Sequence, residues 1–256
     1  MAAAKAGAEI VKYYFGKSLD CVEKSTCFDF RTQADLESEK AILDILTKDF
    51  PDWNIFAEEQ GRTHKGSRYT FVIDPLDGTS NFAMRLPTFT VSIGLMEDEA
   101  LIAGVIYIPL LNEVYYAEKG NGAYRDGMKL SVAPVTTLDR STISLCFGHP
   151  VTKDQESALI HVVRKERPKR LLGDWCSTYD CCLLALGRIE GLVNNRSELY
   201  DFAAAKVIIR EAGAIVTDFY GKPETSDLNA NFVASNDRTL HEKLIQIIAP
   251  VISEIL

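Results

Sequence analysis

The sequence has no long hydrophobic run, no uninterrupted run of basic residues and no C-x-x-C cysteine pair, and each absence excludes a class of protein. No apolar run reaches the roughly 18 residues that a membrane span needs, and no segment has the apolar centre of a secretory signal peptide. The net charge is −8 without a run of lysine and arginine, so nucleic acid is not an expected partner. The six cysteines are typical of buried thiols in a reducing compartment. We therefore expect a cytoplasmic protein without a membrane or nucleic-acid partner.

The chain does contain enough apolar material for a large core. Of its 256 residues, 46% are hydrophobic, which suits one large domain or two closely packed halves. Residues 134–139 are polar and show no periodicity, so we expect the boundary between the halves there. This boundary divides the chain into an N-terminal α+β half, residues 1–135, and a C-terminal α/β half, residues 136–256.

The first half is predicted to form two helices followed by an antiparallel sheet. The first helix ends near Gly16, and the second carries an apolar stripe over residues 41–46. Consecutive strands joined by tight turns, without intervening helices, favour antiparallel pairing. These strands are predicted at residues 53–57, 71–74, 88–96, 101–108, 113–117, 123–124 and 129–132. We expect residues 24–35 to be a polar connection and residues 61–67 to be a flexible hairpin loop.

The second half alternates between strands and helices, which favours a mixed, largely parallel sheet between helices. Strands are predicted at residues 141–147, 169–172, 190–193, 214–217 and 232–235. Helices are predicted at residues 152–167, 177–186, 201–211 and 240–248. The expected fold class is therefore mixed α and β.

Residues 71–82, with the sequence FVIDPLDGTSNF, are the segment around which the chain is organised. Three apolar residues lead into two carboxylates, Asp74 and Asp77. A buried strand that turns at Pro75 and opens a helix near Gly78 would have this pattern. Two carboxylates in one cleft repel each other unless a cation lies between them, and hard oxygen ligands suit Mg²⁺ or Mn²⁺.

The start of the following helix offers a site for an anion. The backbone amides of Gly78 and Thr79 lie in its first turn, where N–H groups are free to bind phosphate. The competing interpretation is that Asp77 or Thr79 simply caps the helix. For the isolated motif, the two interpretations are about equally supported.

Two further acidic segments have a similar character. Glu58 and Glu59 follow the short predicted strand 53–57, just before the strand that delivers Asp74. On their own they would be two solvated acids at a turn, which is the usual fate of such pairs. Asp201 begins a predicted helix, where an ordinary N-cap is the favoured interpretation of the pattern alone.

With these three segments together, the chain resembles the inositol monophosphatase family of metal-dependent phosphomonoesterases along nearly its whole length. Residues 74–82, DPLDGTSNF, are close to the first signature of that family. Residues 200–204, YDFAA, and 211–214, EAGA, match its second signature, W-D-x-A-A followed by E-A-G-G, with Tyr200 in place of tryptophan. The resemblance implies a layered αβαβα sandwich, a homodimer, and hydrolysis of a small polyol or sugar phosphate of the inositol monophosphate type. The implied chemistry is direct attack of metal-activated water, without a covalent enzyme intermediate.

The resemblance also assigns metal ligands. It implies roughly two to three Mg²⁺ ions, with Mn²⁺ as an alternative, held by carboxylates and one backbone carbonyl. The implied ligands are Glu58, Asp74, Asp77, Asp201 and the carbonyl oxygen of Leu76. Glu58 and Asp74 are also implied as catalytic residues. Glu59 is implied to lie next to the metal ligands without binding the metal itself.

Other residues are implied to position the water and the substrate. Lys24, Asp29, Thr32 and Asp35 match the family pattern K…D-x-x-T-x-x-D, in which the last aspartate orients the threonine of the main motif, here Thr79, toward the nucleophilic water. From the residues alone, Thr32 and Asp35 predict a capping box. The implied substrate contacts are Asp77, Gly78, Thr79, Cys176, Ser177 and Thr178.

The substrate is less defined than the chemistry. The family has an acid near position 195, whereas this chain has Asn194, Asn195 and Arg196. This difference argues against myo-inositol phosphate itself as the substrate. Residues 173–174 and 186–190 resemble the histidinol-phosphatase branch, and fructose 1,6-bisphosphate and nucleotide 3′-phosphates are further alternatives. The lack of an uninterrupted basic run argues mildly against doubly phosphorylated substrates. A regulatory or scaffolding relative that binds metal and phosphate without turnover is the alternative of another class.

Two other phosphatase mechanisms do not fit the sequence. Cys182 and Arg188 have the C-x₅-R spacing of cysteine-dependent phosphatases, but the leucines between them predict a buried helix instead of a polar phosphate-binding loop. Haloacid-dehalogenase phosphatases use D-x-D-G-T with the first aspartate as nucleophile, and here Pro75 stands in place of that aspartate. The four histidines form no metal-ligand spacing.

Overall fold

The computed structural model of the chain describes residues 1–18, 21–26, 29–173 and 175–255, and at residues 21, 23–26, 29 and 253–255 it describes the backbone alone. Numbered in chain order, the helices are α1 (Ala2–Tyr14), α2 (Gln33–Asp49), α3 (Thr79–Ala83), α4 (Lys153–Lys165), α5 (Ser177–Ala185), α6 (Leu199–Glu211) and α7 (Arg238–Ile255). The strands are β1 (Cys21–Thr26), β2 (Asp29–Thr32), β3 (Asn54–Ala57), β4 (Gly61–Thr63), β5 (Tyr69–Asp77), β6 (Thr90–Glu97), β7 (Ala100–Ile108), β8 (Glu113–Glu118), β9 (Ala123–Arg125), β10 (Met128–Lys129), β11 (Thr142–Phe147), β12 (Arg170–Leu172), β13 (Gly191–Asn195), β14 (Ile215–Asp218) and β15 (Asn231–Ser235).

The larger sheet brings β3 beside β5. Its strand order is β10-β9-β8-β7-β6-β5-β3-β4, and it is antiparallel, as predicted, except between β3 and β5. These two strands run parallel, with Ala57 opposite Ile73. Because the carboxyl ends of parallel strands meet at the same edge of a sheet, the residues that follow, Glu58 and Asp74, lie side by side.

Two of the predicted connections are wrong in part. Residues 61–67 were expected to be a loop, but the first three of them form the edge strand β4, antiparallel to β3. There the Arg62 guanidinium lies 3.9 Å from the centre of the Phe56 ring, directly across the two strands. Within residues 24–35, β1 and β2 form an antiparallel hairpin. Short polar strands have no apolar alternation, so their sequence does not distinguish them from loops.

The hairpin leads directly into α2. Thr32, the last residue of β2, accepts a hydrogen bond at its Oγ1 from the Ala34 amide at 3.1 Å. In return, Asp35 Oδ2 accepts one from the Thr32 amide at 2.8 Å. The predicted capping box at the start of α2 is therefore confirmed.

The smaller sheet is mixed, as predicted, with the strand order β12-β11-β13-β15-β14. β11 pairs parallel with both β12 and β13, whereas β15 is antiparallel to β13 and β14. α1 and α2 cover the outer face of the larger sheet, α5 and α6 lie between the sheets, and α4 and α7 cover the outer face of the smaller sheet. This order confirms the αβαβα sandwich, while the division of the chain at residue 135 stays a prediction.

α6 lies very close to the larger sheet, because two glycines on that sheet leave room for it. A Cβ atom at Gly94 of β6 would be 2.8 Å from Ala203 Cβ, and one at Gly104 of β7 would be 2.5 Å from the Ala204 carbonyl oxygen. This close packing fixes the first turn of α6, which carries Asp201, against the sheet. Within the described residues, every helix is too short or too polar to span a lipid bilayer.

Candidate active site

The central motif is the end of strand β5, and it does not turn where the sequence predicted. Pro75 remains within the strand, which continues to Asp77. Asp74 pairs with Ser92 and Asp77 with Thr90, so two residues of β5 oppose one residue of β6 between these pairs. Such a bulge tolerates proline, which has no amide to donate to the neighbouring strand, and it re-aims the side chains that follow.

Gly78 ends the strand and precedes α3. Its φ of 86° lies in the left-handed region that favours glycine. A Cβ atom there would lie 3.0 Å from the Thr88 carbonyl oxygen and 3.1 Å from Cys176 Cβ. The glycine therefore serves both the turn and the close approach of two other segments to the motif.

Asp77 caps a helix, but not the helix that follows it in sequence. Its Oδ2 accepts hydrogen bonds from the amide of Thr178 at 2.9 Å and from the Thr178 hydroxyl, in the first turn of α5. The thiol of Cys176 donates to the same oxygen at 3.3 Å. The cap of α3 itself, Gly78, makes no side-chain hydrogen bond. The interpretation that Asp77 or Thr79 caps α3 is therefore wrong.

Asp201 comes to the same region from a different part of the chain. It is the third residue of α6, and its Oδ2 accepts a hydrogen bond from the Glu198 amide at 2.9 Å. The N-cap of this helix is Glu198, so the pattern-based assignment of Asp201 as the N-cap is shifted by three residues. Ser177, at the start of α5, donates a hydrogen bond to the Asp201 carbonyl oxygen at 2.9 Å.

Asp74 and Asp77 are buried, Asp201 is partly buried, and the three perturb one another. Burial raises the pKa of Asp74 well above its ordinary value, and the negative charges of Glu58, Asp77 and Asp201 raise it further. The pKa of Asp201 is raised in the same way, by burial and then by the charges of Asp77 and Glu58. For Asp77, burial raises the pKa while the hydrogen bonds from Thr178 oppose the increase. The four carboxyl groups thus form one crowded, negatively charged group.

The chemistry of this group fits a hard divalent cation. Among the described side chains, no lysine or arginine pairs with the three aspartates to balance their charge. Ser92, the cross-strand partner of Asp74, has a buried hydroxyl that finds no hydrogen-bond partner in the described part of the chain. As the side chains stand, no three histidine, cysteine, aspartate or glutamate residues of the described part form a ready-made metal site. One oxygen of each aspartate accepts a hydrogen bond from a protein donor.

Thr79 is held beside the carboxylates by Asp35. The Thr79 hydroxyl lies 3.2 Å from Asp35 Oδ1 and 3.0 Å from the Leu76 carbonyl oxygen. The other oxygen of Asp35 accepts hydrogen bonds from the amide and hydroxyl of Thr32. The structure thus brings together the implied ligands and the implied water-orienting pair, and their roles stay predictions. The side chains of Lys24 and Asp29, and residue Asp174, lie outside the described residues.

The cysteines near this site are thiols of high pKa. Burial, followed by the charge of Asp77, raises the pKa of Cys176 well above its ordinary value. Burial raises the pKa of Cys182 in the same direction, and Cys182 lies within α5 instead of a phosphate-binding loop. Neither residue has the stabilised thiolate that nucleophilic cysteine chemistry requires.

Comparison with known proteins agrees with the resemblance seen in the sequence. A model of the inositol monophosphatase family matches residues 1–253. The chain belongs to the inositol monophosphatase family. A protein of Thermotoga maritima named fructose-1,6-bisphosphatase/inositol-1-monophosphatase is 37% identical, over 93% of this chain and 90% of its own length. The Nus factor SuhB of Escherichia coli K12 is 34% identical, over 95% of this chain and 91% of its own length.

Solved structures of the family share the fold. The structure of a Thermotoga maritima IMPase has a TM-score of 0.88 and 32% sequence identity, and the match covers 99% of this chain and 96% of that chain. An extragenic suppressor protein SuhB from Bartonella henselae has the same TM-score of 0.88 at 30% identity, with 96% and 95% covered. Membership of the family and the names of these relatives indicate a phosphatase, and the family is in general metal-dependent.

Asn194, one of the three residues that stand where the family has an acid, already makes hydrogen bonds within the protein. The side-chain amide of Asn194 donates to the Ala230 carbonyl oxygen at 2.8 Å, and its oxygen accepts from the Ser197 hydroxyl at 2.9 Å. Asn194 is 1% exposed, so both ends of its amide are committed to the protein. Asn194 lies in the sequence between an apolar strand and an acidic helix start, and this local pattern does not predict its hydrogen bonds.

Sequence reasoning missed a set of polar residues on α2. Glu39 is buried and accepts hydrogen bonds from the amides of Glu59 and Gln60, at 2.8 and 2.9 Å. Ser38 is buried as well and donates to the Pro75 carbonyl oxygen at 2.8 Å. The one available sign was their spacing from Asp35, at i+3 and i+4, on the apolar face of an otherwise amphipathic helix.

Proposed function

We propose that the protein is a Mg²⁺-dependent phosphomonoesterase that hydrolyses a small polyol or sugar phosphate of the inositol monophosphate type. One observation carries the proposal: Glu58, Asp74, Asp77 and Asp201, from three distant segments, perturb one another at one largely buried position. Like charges crowded in this way are costly unless a cation offsets them. A protein that used these acids only for folding would be more stable without them.

The proposed ligands are the four acids and the carbonyl oxygen of Leu76, with Mn²⁺ as an alternative to Mg²⁺. When bound, such ions lower the pKa of a water molecule, hold the phosphoryl oxygens and offset charge on the leaving oxygen. Asp74 and Asp77 reach this position from the bulged end of β5, and Asp201 from the first turn of α6. Glu58 reaches it from the end of β3, beside Asp74.

Thr79 is proposed to orient the attacking water. A hydroxyl donates a single proton, and Thr79 Oγ1 has two acceptors within 3.2 Å, Asp35 Oδ1 and the Leu76 carbonyl oxygen. With its proton directed to one of them, the oxygen is oriented to accept a hydrogen bond from a water molecule. The amides of Gly78 and Thr79 are proposed to bind the phosphate.

The alcohol part of the substrate is proposed to contact Asp77 and the start of α5, residues 176–178. The family acid near position 195 is replaced by Asn194, Asn195 and Arg196, and the Asn194 amide is committed to Ala230 and Ser197. A carboxylate acceptor for ring hydroxyls is therefore missing there, which supports substrates other than myo-inositol phosphate. The relatives named fructose-1,6-bisphosphatase/inositol-1-monophosphatase support a sugar phosphate as well as an inositol phosphate. Histidinol phosphate and nucleotide 3′-phosphates remain alternatives within the same chemistry.

The test is a phosphate-release screen with the full chain. Inositol phosphate, fructose 1,6-bisphosphate, histidinol phosphate, a simple polyol phosphate and a nucleotide 3′-phosphate would each be incubated with Mg²⁺ and, separately, with excess EDTA. We expect release from at least one ester with Mg²⁺ and none in EDTA, because the uncompensated acids repel a dianionic substrate. Release that continues in EDTA would contradict the proposal.

A second candidate is a regulatory protein that binds metal and phosphate without turnover. The relatives named Nus factor SuhB, at 34–36% identity, are the observation that favours it. The same screen separates the two: a regulatory protein would bind Mg²⁺ and release no phosphate from any ester. In either case we expect the homodimer that the family resemblance implies, which light scattering would detect.

A further inference from the structure

One face of α2 contacts both acidic segments of the candidate active site. Asp35, Ser38 and Glu39 are spaced i, i+3 and i+4, which places them on the same side of the helix. All three are at most 1% exposed, although residues of their types are rarely buried without a specific partner. Asp35 contacts Thr79, as described above, and the other two contact the backbone on either side of the carboxylates.

Glu39 binds the turn that follows β3 through both of its carboxylate oxygens. Oε2 accepts from the Glu59 amide at 2.8 Å, and Oε1 accepts from the Gln60 amide at 2.9 Å. Two amides pointing at one carboxylate fix the backbone direction of residues 58–60, since neither can rotate without losing a charge-assisted hydrogen bond. The Glu58 amide donates to the Ile73 carbonyl oxygen at 3.1 Å, so the turn is held from both sides.

Ser38 fixes the second segment to the same helix. Its hydroxyl donates to the Pro75 carbonyl oxygen, within the bulge that separates Asp74 from Asp77. α1 seals this contact from water, because a Cβ atom at Gly7 would lie 2.7 Å from Ser38 Oγ. One rigid helix therefore sets the position of Glu58 relative to Asp74.

We propose that Glu39 is a positioning residue for the acidic site: it holds the turn at residues 58–60 so that Glu58 faces Asp74, and it thereby sets the affinity for a divalent cation. The proposal rests on the proposed function, in which Glu58 is a metal ligand. A glutamine at position 39 would keep one acceptor but present an amide group to a backbone N–H, and an aspartate would be too short to reach both amides.

The test compares Glu39→Gln and Glu39→Asp with Asp44→Asn, which removes an exposed carboxylate from the same helix and serves as the matched control. Amide exchange at Glu59 and Gln60 would be measured by NMR, and Mn²⁺ binding to the metal-free protein by calorimetry. We expect faster exchange at these two amides and Mn²⁺ binding weakened about 10- to 100-fold in both Glu39 variants, as for other residues that hold metal ligands in place. The substrate KM at saturating Mg²⁺ should stay close to that of the wild type, while the melting temperature of both Glu39 variants should fall, because partly buried backbone amides lose a charge-assisted hydrogen bond.

Two outcomes overturn the proposal. If exchange at the two amides rises while Mn²⁺ affinity is unchanged, the turn is not coupled to the site. If exchange rises throughout the protein instead of at these two amides, Glu39 has a general structural role. If Glu39→Gln does not fold, the Glu39→Asp variant decides by the same measurements. Wild-type protein that binds no Mn²⁺ would contradict the proposed function itself. Glu39 variants that bind Mn²⁺ as tightly as the wild type would contradict only the role proposed for Glu39.

Discussion

Helix α6 carries two buried charged groups, and they differ in one respect. At its start, Asp201 meets Glu58, Asp74 and Asp77, all of the same sign. In its second half, Lys206 and Arg210 meet acids of opposite sign from residues 224–227. Within the part of the chain that the structure describes, the three aspartates of the first group pair with no lysine or arginine, and we call this group unbalanced; the second group is balanced, although both are built on one helix between the same two sheets.

The balanced group is fully paired. Lys206 is 0% exposed, and its Nζ lies 2.9 Å from Glu224 Oε1 and donates to the Asn229 carbonyl oxygen at 2.7 Å. Arg210 binds Glu224 at 2.6 Å and Asp227 at 2.5 Å. Burial lowers the pKa of Lys206 to about 8, even though Glu224 acts in the opposite direction. This group ties the 224–229 segment to α6.

The presence or absence of counter-charges indicates a different role for each group. A buried charge that finds its counter-charge within the protein has a complete structural explanation. The described residues supply no lysine or arginine partner for Asp74, Asp77 or Asp201, so the group around Asp201 is the one that points to an external cation. Helix α6 therefore carries part of the candidate active site at its start and a structural group of paired charges in its second half. Each group can be tested independently.

The largest effect is expected from breaking the unbalanced group. Asp201→Asn should reduce kcat/KM with Mg²⁺ by about 10³-fold, because several kcal/mol of transition-state stabilisation depend on the metal site. The same change removes one of the repelling charges, so the metal-free protein should become more stable. Phosphate release and thermal unfolding in EDTA measure the two effects.

Glu198→Gln is the control for this experiment. Glu198 is the exposed N-cap of α6, its amide donates to Asp201 Oδ2 at 2.9 Å, and a glutamine there would keep the side-chain oxygen that accepts from the first turn of the helix. The control variant should keep both activity and stability. If Asp201→Asn retained full Mg²⁺-dependent activity, the assignment of the unbalanced group as the active site would be wrong.

The next largest effect is expected from breaking the balanced group. Glu224→Gln leaves Lys206 and Arg210 without their shared acid, and removing one partner of a buried pair costs about 3 kcal/mol. For a chain of this size, this loss corresponds to a decrease in melting temperature of roughly 6–12 °C. The activity of the folded protein should be unchanged, which distinguishes this group from the first.

Glu242→Gln provides the comparison, since Glu242 and Arg238 form an exposed pair with 63% and 79% of their side chains accessible. Its unfolding free energy should change by less than about 1 kcal/mol. An equal effect of Glu224→Gln and Glu242→Gln would show that burial of the balanced group contributes nothing.

The smallest effect is the pH dependence of stability. In the metal-free protein, the pKa of Asp74 and of Asp201 is raised above the ordinary value of 3.8, so the folded state holds more protons than the unfolded state between the ordinary and the raised pKa. Their contribution to the free energy of unfolding therefore falls as pH rises through that window. Urea unfolding in EDTA from about pH 5 to about pH 8 should show wild type losing stability relative to Asp201→Asn.

Mg²⁺ should reverse this trend in the wild type alone. A ligand that binds only the folded state stabilises it, and it binds best when the carboxylates are ionised. A stability difference between wild type and Asp201→Asn that did not vary with pH would mean that the acids do not interact as described.

Much of the fold was predictable because it depends on local sequence. The strands of the larger sheet, the helices of the second half and the capping box of Thr32 and Asp35 follow from periodicity and from residues three or four positions apart. The edge strand β4 and the hairpin β1–β2 were missed because short polar strands form only where a neighbouring strand supplies their hydrogen bonds. The strand through Pro75 was missed because a bulge depends on the register with β6.

For the candidate site, the sequence by itself determined the chemistry: which acids follow β3 and β5, which begins α6, and which family they resemble. Only the tertiary structure decided how those acids are held. Asp77 caps α5 at Thr178, a partner far along the chain, and Glu39 binds the turn after β3 across the face of α2. Contacts of this kind join segments that pack together only in the folded molecule, so no local pattern in the sequence encodes them.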